Sequence, residues 1–145
     1  MARQLCTFYL NGLYLGVDVT RVQEVIRYQA MTRVPLAAPE VRGLINLRGQ
    51  IVTAIDLRTR MGFAALDDAQ PMNVVVRGLW GNVSLLVDQI GDVVEVNEQA
   101  FERLPETVVA ASRELFLGVY KLNRQLLLVL DAERAIGAID SAARA

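Results

Sequence analysis

The chain contains no histidine. That absence removes imidazole acid–base chemistry, histidine-containing triads, histidine metal sites and phosphohistidine relays together. Cysteine occurs once, at Cys6. No internal disulfide is available, and a reducing compartment is the expected setting. Lysine also occurs once, at Lys121, so the 15 basic residues are almost all arginine. Arginine suits directed, bidentate contacts with carboxylates better than a diffuse positive field. The formal net charge is only −1, which implies no broad attraction to nucleic acid or an anionic membrane. The longest dense apolar run, Leu126 to Leu130, is far too short to cross a bilayer. The opening MARQLCTFYL lacks the charged-then-apolar layout of a signal peptide, and a cytoplasmic protein is expected. Glycine signatures for nucleotides are missing as well: Gly78-Leu-Trp-Gly81 and Arg48-Gly49 read as turns, with no G-x-G-x-x-G and no P-loop.

What is present is core material. Apolar residues make up 53% of the 145, enough for one domain or two small, intimately packed halves. Leu5 to Leu10 and Tyr14 to Val17 read as strands around Asn11-Gly12, a strong hairpin signal. Asp18 then reads as a helix cap, and Val19, Val22 and Ile26 fall at i, i+3 and i+7, predicting a short amphipathic helix. Arg33 to Val41, with Pro35 and Pro39, is an extended connector. Two strands meet at Arg48-Gly49-Gln50, Asp56 starts a helix to Met61, and Gly62 stands where a C-cap glycine belongs. Asp67 to Pro71 is turn-rich and is the expected boundary. Beyond it come strands at Asn73 to Arg77, Val83 to Val87 and Val93 to Val96, then an irregular stretch from Asn97 to Arg113. A hairpin spans Leu115 to Leu130, a short helix covers Asp131 to Ile136, and the tail after Asp140 is small and polar.

Ile45–Gly62 and Tyr120–Gly137 repeat one pattern at a constant offset. Leu47 matches Leu122, Gln50 matches Gln125, Asp56 matches Asp131 and Gly62 matches Gly137. A weaker echo links Val17-Asp18 to Val87-Asp88, each followed by a Val-x-Glu-Val stretch. Two related halves, 5–66 and 72–137, each with about five short strands, are the natural reading. The fold class is therefore mainly β: two small five-stranded barrels around a shared core, with a few short helices.

No cluster of residues points to catalysis. Asp56, Asp88 and Asp131 are accounted for as N-caps, Cys6 as a small buried hydrophobe, and neither Ser84 nor Ser112 belongs to a nucleophile–base pattern in the sequence. One cysteine with scattered carboxylates makes no metal site. Two segments look like contact surface. Thr20 to Ile26 mixes charge with β-branched apolar groups, although Val22 and Ile26 facing a core, with Arg21, Gln23 and Glu24 solvated, accounts for the same pattern. Asn46-Leu-Arg-Gly49 sets Arg48 on a tight turn from which it would reach a carboxylate, and a solvated turn arginine fits equally. An enzyme with a pocket between the barrels, and a barrel that binds peptide or nucleic acid, are the competing classes.

These segments carry a resemblance. Phe8 to Asp18, Val22-Gln-Glu-Val25, Val34-Pro35, Gly43-Leu-Ile-Asn-Leu-Arg-Gly49, Ile55-Asp-Leu-Arg58, Val87-Asp88, Val93 to Val96 and Leu-Val-Leu-Asp131 occur in the order seen in CheW-like domains. The chain resembles that family from about Leu5 to Ile136, as a single domain over 1–145. The resemblance implies paired SH3-like barrels and a non-catalytic adaptor without cofactor or metal. Such an adaptor couples the cytoplasmic tips of methyl-accepting chemoreceptors to the regulatory domain of a CheA-type histidine kinase, in receptor arrays at the inner membrane. It binds no nucleic acid and inserts into no membrane. The motif glutamate matches Glu24 and the motif arginine Arg48, with Val22 and Val25 beside the glutamate. Those four are the partner-contact candidates, and Val19, Asn46 and Gly49 are weaker ones. A related adaptor serving pili, biofilm or developmental signalling is the alternative within the family.

Overall fold

The computed structural model describes residues 2–65, 70–79, 81–106 and 110–137. In chain order the elements are β1 (Ala2–Leu10), β2 (Leu13–Asp18), a 3-10 turn (Val19–Arg21), β3 (Val22–Ile26), β4 (Val41–Leu47), β5 (Gln50–Asp56) and α1 (Leu57–Arg60). Then follow β6 (Met72–Gly78), β7 (Gly81–Val87), β8 (Gln89–Asn97), a 3-10 turn (Glu98–Ala100), α2 (Ala110–Arg113), β9 (Phe116–Leu122) and β10 (Gln125–Leu130). Residues 132–137 are helical. Apart from Gln70 and Pro71, the expected boundary from Asp67 to Pro71 lies outside the described residues, as do Trp80 and the tail after Asp140.

The strands form two five-stranded sheets, β8-β1-β2-β10-β9 and β3-β6-β7-β5-β4. This is the mainly β, two-unit fold expected from the sequence. The sequence halves, however, are not the sheets. Each half runs hairpin, single strand, hairpin, short helix. The first hairpin of each half pairs with the single strand and second hairpin of the other: β1 with β8 and β2 with β10, β6 with β3 and β7 with β5. Both β2–β10 and β5–β7 are parallel, while the remaining pairings are antiparallel. The repeat is therefore real as a topology, with hairpins exchanged between halves.

Side-chain alternation sorts each strand into two environments. Phe8, Leu10, Leu15, Val17, Leu128 and Leu130 of one sheet meet Ile55, Val74, Val76, Val83, Leu85 and Val87 of the other in one shared core. The alternate positions fill each sheet's own interior: Leu5, Val96, Tyr120, Leu127 and Val129 on one side, Ile45, Ala54 and Leu86 on the other. Inner strands are thus buried on both faces over most of their length, which is why Leu127 to Leu130 reads as a continuous apolar run. Truncating Phe8, fully buried at this junction, would cost about 3–5 kcal/mol.

Each sheet closes by one bridge, Thr32↔Leu44 and Glu102↔Val119. A glycine lies under each crossing. A β-carbon on Gly43 would sit 2.7 Å from the Thr32 carbonyl oxygen, and one on Gly118 would sit 2.5 Å from that of Glu102. These glycines occupy equivalent places in the two halves.

The expected helix over Val19 to Ile26 is a correction. Only Val19–Arg21 turns helically, capped by Asp18, whose carboxylate accepts from Thr20 N–H at 2.9 Å. Val22 to Ile26 is the edge strand β3. The spacing of Val19, Val22 and Ile26 is equally that of a short turn followed by a strand with β-branched residues at its two ends. Asp88 is a second correction, since it caps no helix and is gripped by Arg58. Asp56 and Asp131 do cap, accepting from Arg58 N–H at 3.0 Å and Arg134 N–H at 3.2 Å.

Candidate functional site

β3 is joined to β6 with one residue in excess. Val22 lies opposite Val76 and Glu24 opposite Val75, so Gln23 is a β-bulge. The bulge separates two neighbours that simple alternation would place on one face. Val22 packs against the shared core. Glu24 instead turns, beside Val75, to the mouth of the second barrel. There it lines a hollow of about 350 Å³ with Gln23, Leu47, Arg48, Val52 and Asn82 among its neighbours.

Arg48 reaches the same mouth from the β4–β5 hairpin. Arg48 and Gly49 both have left-handed backbones, at φ 51° and 88°. Positive φ at both central residues matches the strand twist in a two-residue hairpin. The Asn46 side chain fixes the turn by accepting the Gly49 N–H at 3.0 Å. On this base the Arg48 guanidinium donates to the Glu24 carboxylate. The two side chains are unequally covered, Arg48 being 77% exposed and Glu24 23%. The carboxylate foreseen for Arg48 is therefore within the chain, and the two strongest candidates form one ion pair across the barrel mouth.

The strand that carries Glu24 is held at both ends. Arg77 donates to the carbonyls of Thr20 at 2.7 Å and Val22 at 3.1 Å. Asn73, fully buried, donates to the Arg27 carbonyl at 3.0 Å and accepts from the Ser84 hydroxyl at 2.7 Å. Ser84 is thereby a structural hydroxyl. Sequence reasoning missed Arg77 and Asn73. A polar residue within the apolar run Met72 to Val76 was the available signal for Asn73.

The structure gathers Glu24, Arg48, Asn46 and Gly49 into one surface and distributes the rest. Val22 is committed to the core. Val25 lies opposite Val74, on the other face of β3 from Glu24, and is 37% exposed. Val19 sits in the turn before the strand.

A second charged cluster, also missed, ties the halves together. Arg58 on α1 donates twice to Asp88, Nε to Oδ1 at 2.9 Å and Nη2 to Oδ2 at 2.7 Å. The Asn11 N–H donates to the same carboxylate at 2.8 Å. Hydrogen bonding from Arg58 outweighs the opposing effect of burial and holds the Asp88 carboxyl below its ordinary range. Glu133, at the place of Arg58 in the repeat, pairs with Arg21. Burial works against ionised Asp18, but Thr20 and Arg3 overcome it and hold that carboxyl low too. Burial also pushes the Cys6 thiol up, away from nucleophilic behaviour.

Among the described residues no group of three or more cysteines or carboxylates is placed to hold a metal. Nor is any helix there long and apolar enough to cross a membrane. What the site offers is an ion pair, a rigid turn and a partly apolar edge strand, the equipment of recognition.

A family model described as CheW-like domain matches residues 4–140. The chain is 30% identical over 136 residues to the chemotaxis protein CheW of Bacillus subtilis (strain 168), covering 92% of this chain and 86% of that protein. To the chemotaxis protein CheW of Klebsiella aerogenes it is 27% identical over 143 residues, covering 98% and 86%. Among solved structures, the scaffolding protein TtCheW from Thermoanaerobacter tengcongensis superposes with a TM-score of 0.82 at 25% identity, over 94% of this chain and 88% of that one.

Proposed function

The chain belongs to the CheW-like family, and from that premise we propose that it is a non-catalytic adaptor holding chemoreceptors and a CheA-type histidine kinase in one signalling assembly. The observation that carries this reading is likeness to chemotaxis scaffolds over nearly the full length, in sequence and in fold together. On this reading the chain is one CheW-like domain that works in the cytoplasm at receptor arrays.

The contact surface is the barrel mouth of β3 and the β4–β5 turn. Exposed Arg48, oriented by Glu24 and by the Asn46–Gly49 bond, meets a partner carboxylate. Val25 supplies apolar area at the strand edge, and Val19, Asn46 and Gly49 lie at the margin. Val22 acts from the core by fixing the strand. Charges placed this way govern register and partner choice more than raw affinity. Two modest interfaces on one rigid body persist because each raises the effective concentration for the other.

The test is co-purification of the kinase and a receptor cytoplasmic fragment with wild type, Glu24→Lys and Arg48→Glu, each checked by circular dichroism. Both variants are expected to fold and to recover markedly less of at least one partner. Recovery equal to wild type would remove Glu24 and Arg48 from the contact surface.

A further inference from the structure

We propose that the outer end of the shared core is a binding site for a small aromatic carboxylate, with Arg124 as the group that recognises its charge. The inference stands apart from the adaptor reading, and the site stands apart from the β3 and β4–β5 surface. β5 leads away from the Arg48 turn for 7 residues, a length on the order of 20 Å. Beyond its far end Arg58 on α1 donates to the Asn11 side chain at 3.3 Å, and Asn11 lines the site.

The parallel pairing of β2 with β10 sets two hairpin tips side by side, Asn11-Gly12 and Asn123-Arg124. Between these tips and Phe63, just beyond α1, lies a cavity of about 710 Å³. Its floor is the shared core, where Phe116 and Leu128 are buried and Leu13 and Phe63 pack against them. Leu126 stands two residues before Leu128 on the same face of β10, yet it is 41% exposed and lines the cavity. The core row of Leu130 and Leu128 thus runs out at Leu126 with nothing over it. Tyr9 and Tyr14, stacked with ring centroids 5.0 Å apart, line the cavity too. A hollow of this size, apolar in its depth and with few polar groups, has the form of a small-molecule site. The rings of Tyr9, Tyr14, Phe63 and Phe116 in its lining favour an aromatic guest.

Arg124 supplies the charge complement, since it lines the same cavity. Among the described residues it has no carboxylate within ion-pair distance, whereas Arg3, Arg21, Arg42, Arg48 and Arg58 all do. Its backbone is left-handed, at φ 63°, and it holds the place that Gly49 holds in the matching turn of the repeat. Glycine takes such a backbone freely, and a side chain with a β-carbon does not. Strain of this kind collects at ligand sites. A guanidinium at the rim of an apolar cavity offers two parallel donors to a carboxylate while the guest's apolar body leaves water.

The experiment is titration of the protein with naphthylacetate and with its neutral amide, naphthylacetamide, followed by calorimetry and by backbone amide NMR shifts. Naphthylacetate should bind about tenfold more tightly than the amide, or better. It should shift the amides of both hairpin tips and leave β3 and the Arg48 turn unmoved. Arg124→Gly relieves the backbone, so it should melt at a higher temperature than wild type and yet bind naphthylacetate about tenfold more weakly. An arginine with a purely structural role would not separate stability from binding in this way. Leu126→Trp fills the cavity and should abolish binding while the melting temperature stays near that of wild type. Absence of naphthylacetate binding, equal binding of acid and amide, or wild-type affinity in Arg124→Gly would each overturn the inference. So would displacement of bound naphthylacetate by the kinase, by a receptor fragment or by a second copy of this chain, since the cavity would then be a protein contact.

Discussion

At the scale of single residues the central object is the ion pair of Glu24 and Arg48. An exposed pair of this kind contributes at most about 1 kcal/mol to folding. Charge reversal at either position should therefore leave the melting temperature nearly unchanged and act on assembly. A sharper prediction separates orientation from contact. If Glu24 serves to aim Arg48, the exchanged double variant Glu24→Arg/Arg48→Glu should keep the fold and still fail to assemble, because the outward charge is now wrong. Recovery of assembly by the double variant would show that the pair matters only as an internal latch. Asp88 gives a pH prediction. Its folded carboxyl titrates below the ordinary value of about 3.9. As pH falls, the unfolded chain therefore binds the proton first. The stability Asp88 supplies is full above its unfolded value and drains away as pH drops through the folded one. Asp88→Asn should lower stability at pH 7 by about 1.5–3 kcal/mol and flatten the acid limb of a stability–pH curve. An unchanged acid limb would contradict the role given to Arg58. Arg48, Asn46 and Gly49 were legible from sequence because turn chemistry is local. Arg58 with Asp88 was not, because nothing local signals a partner thirty positions away.

At the scale of elements, β3 shows where pattern reading fails and why. Its Val22 and Ile26 are β-branched, as a strand favours. Yet the position between them is Glu24, a charged residue at a mouth-facing place, and Gln23 adds a bulge. A charged site residue and an extra residue within five positions erase the period-2 signal, and the period of a helix fits what is left. The repeat held the correction: the echo of Val22–Val25 at Val93–Val96 falls in β8, which occupies the equivalent edge of the other sheet. The glycines under the barrel bridges carry a prediction at this scale. Gly43→Ala and Gly118→Ala each force a β-carbon into a backbone carbonyl, and each should destabilise by about 1–3 kcal/mol. Gly43→Ala should in addition loosen the barrel that carries the ion pair, read as faster amide exchange in β3 and β4. Equal exchange in wild type and variant would contradict the closure account.

At the scale of the whole molecule, composition and repeat revealed the class and roughly five strands per half, with β3 taken for a helix, but not the exchange of hairpins. Pairing partners far apart in sequence leave no mark on local pattern, and adjacent hairpins pairing within their own half was the simpler expectation. The exchange has a consequence for unfolding. Neither barrel has its strands without the other half, and both share one core. The chain should therefore melt in one transition, with calorimetric and van't Hoff enthalpies equal. Two separable transitions would contradict the interleaving. Rigidity of this kind is what an adaptor needs, since surfaces on one body keep fixed relative positions. The most direct measurement is sedimentation of receptor cytoplasmic fragments, arrayed on vesicles, with CheA-type kinase, in the presence and absence of this protein. The protein should appear in the pellet and carry additional kinase with it, and Arg48→Glu should abolish the gain. Kinase sedimenting to the same extent with and without the protein would contradict its role as an adaptor.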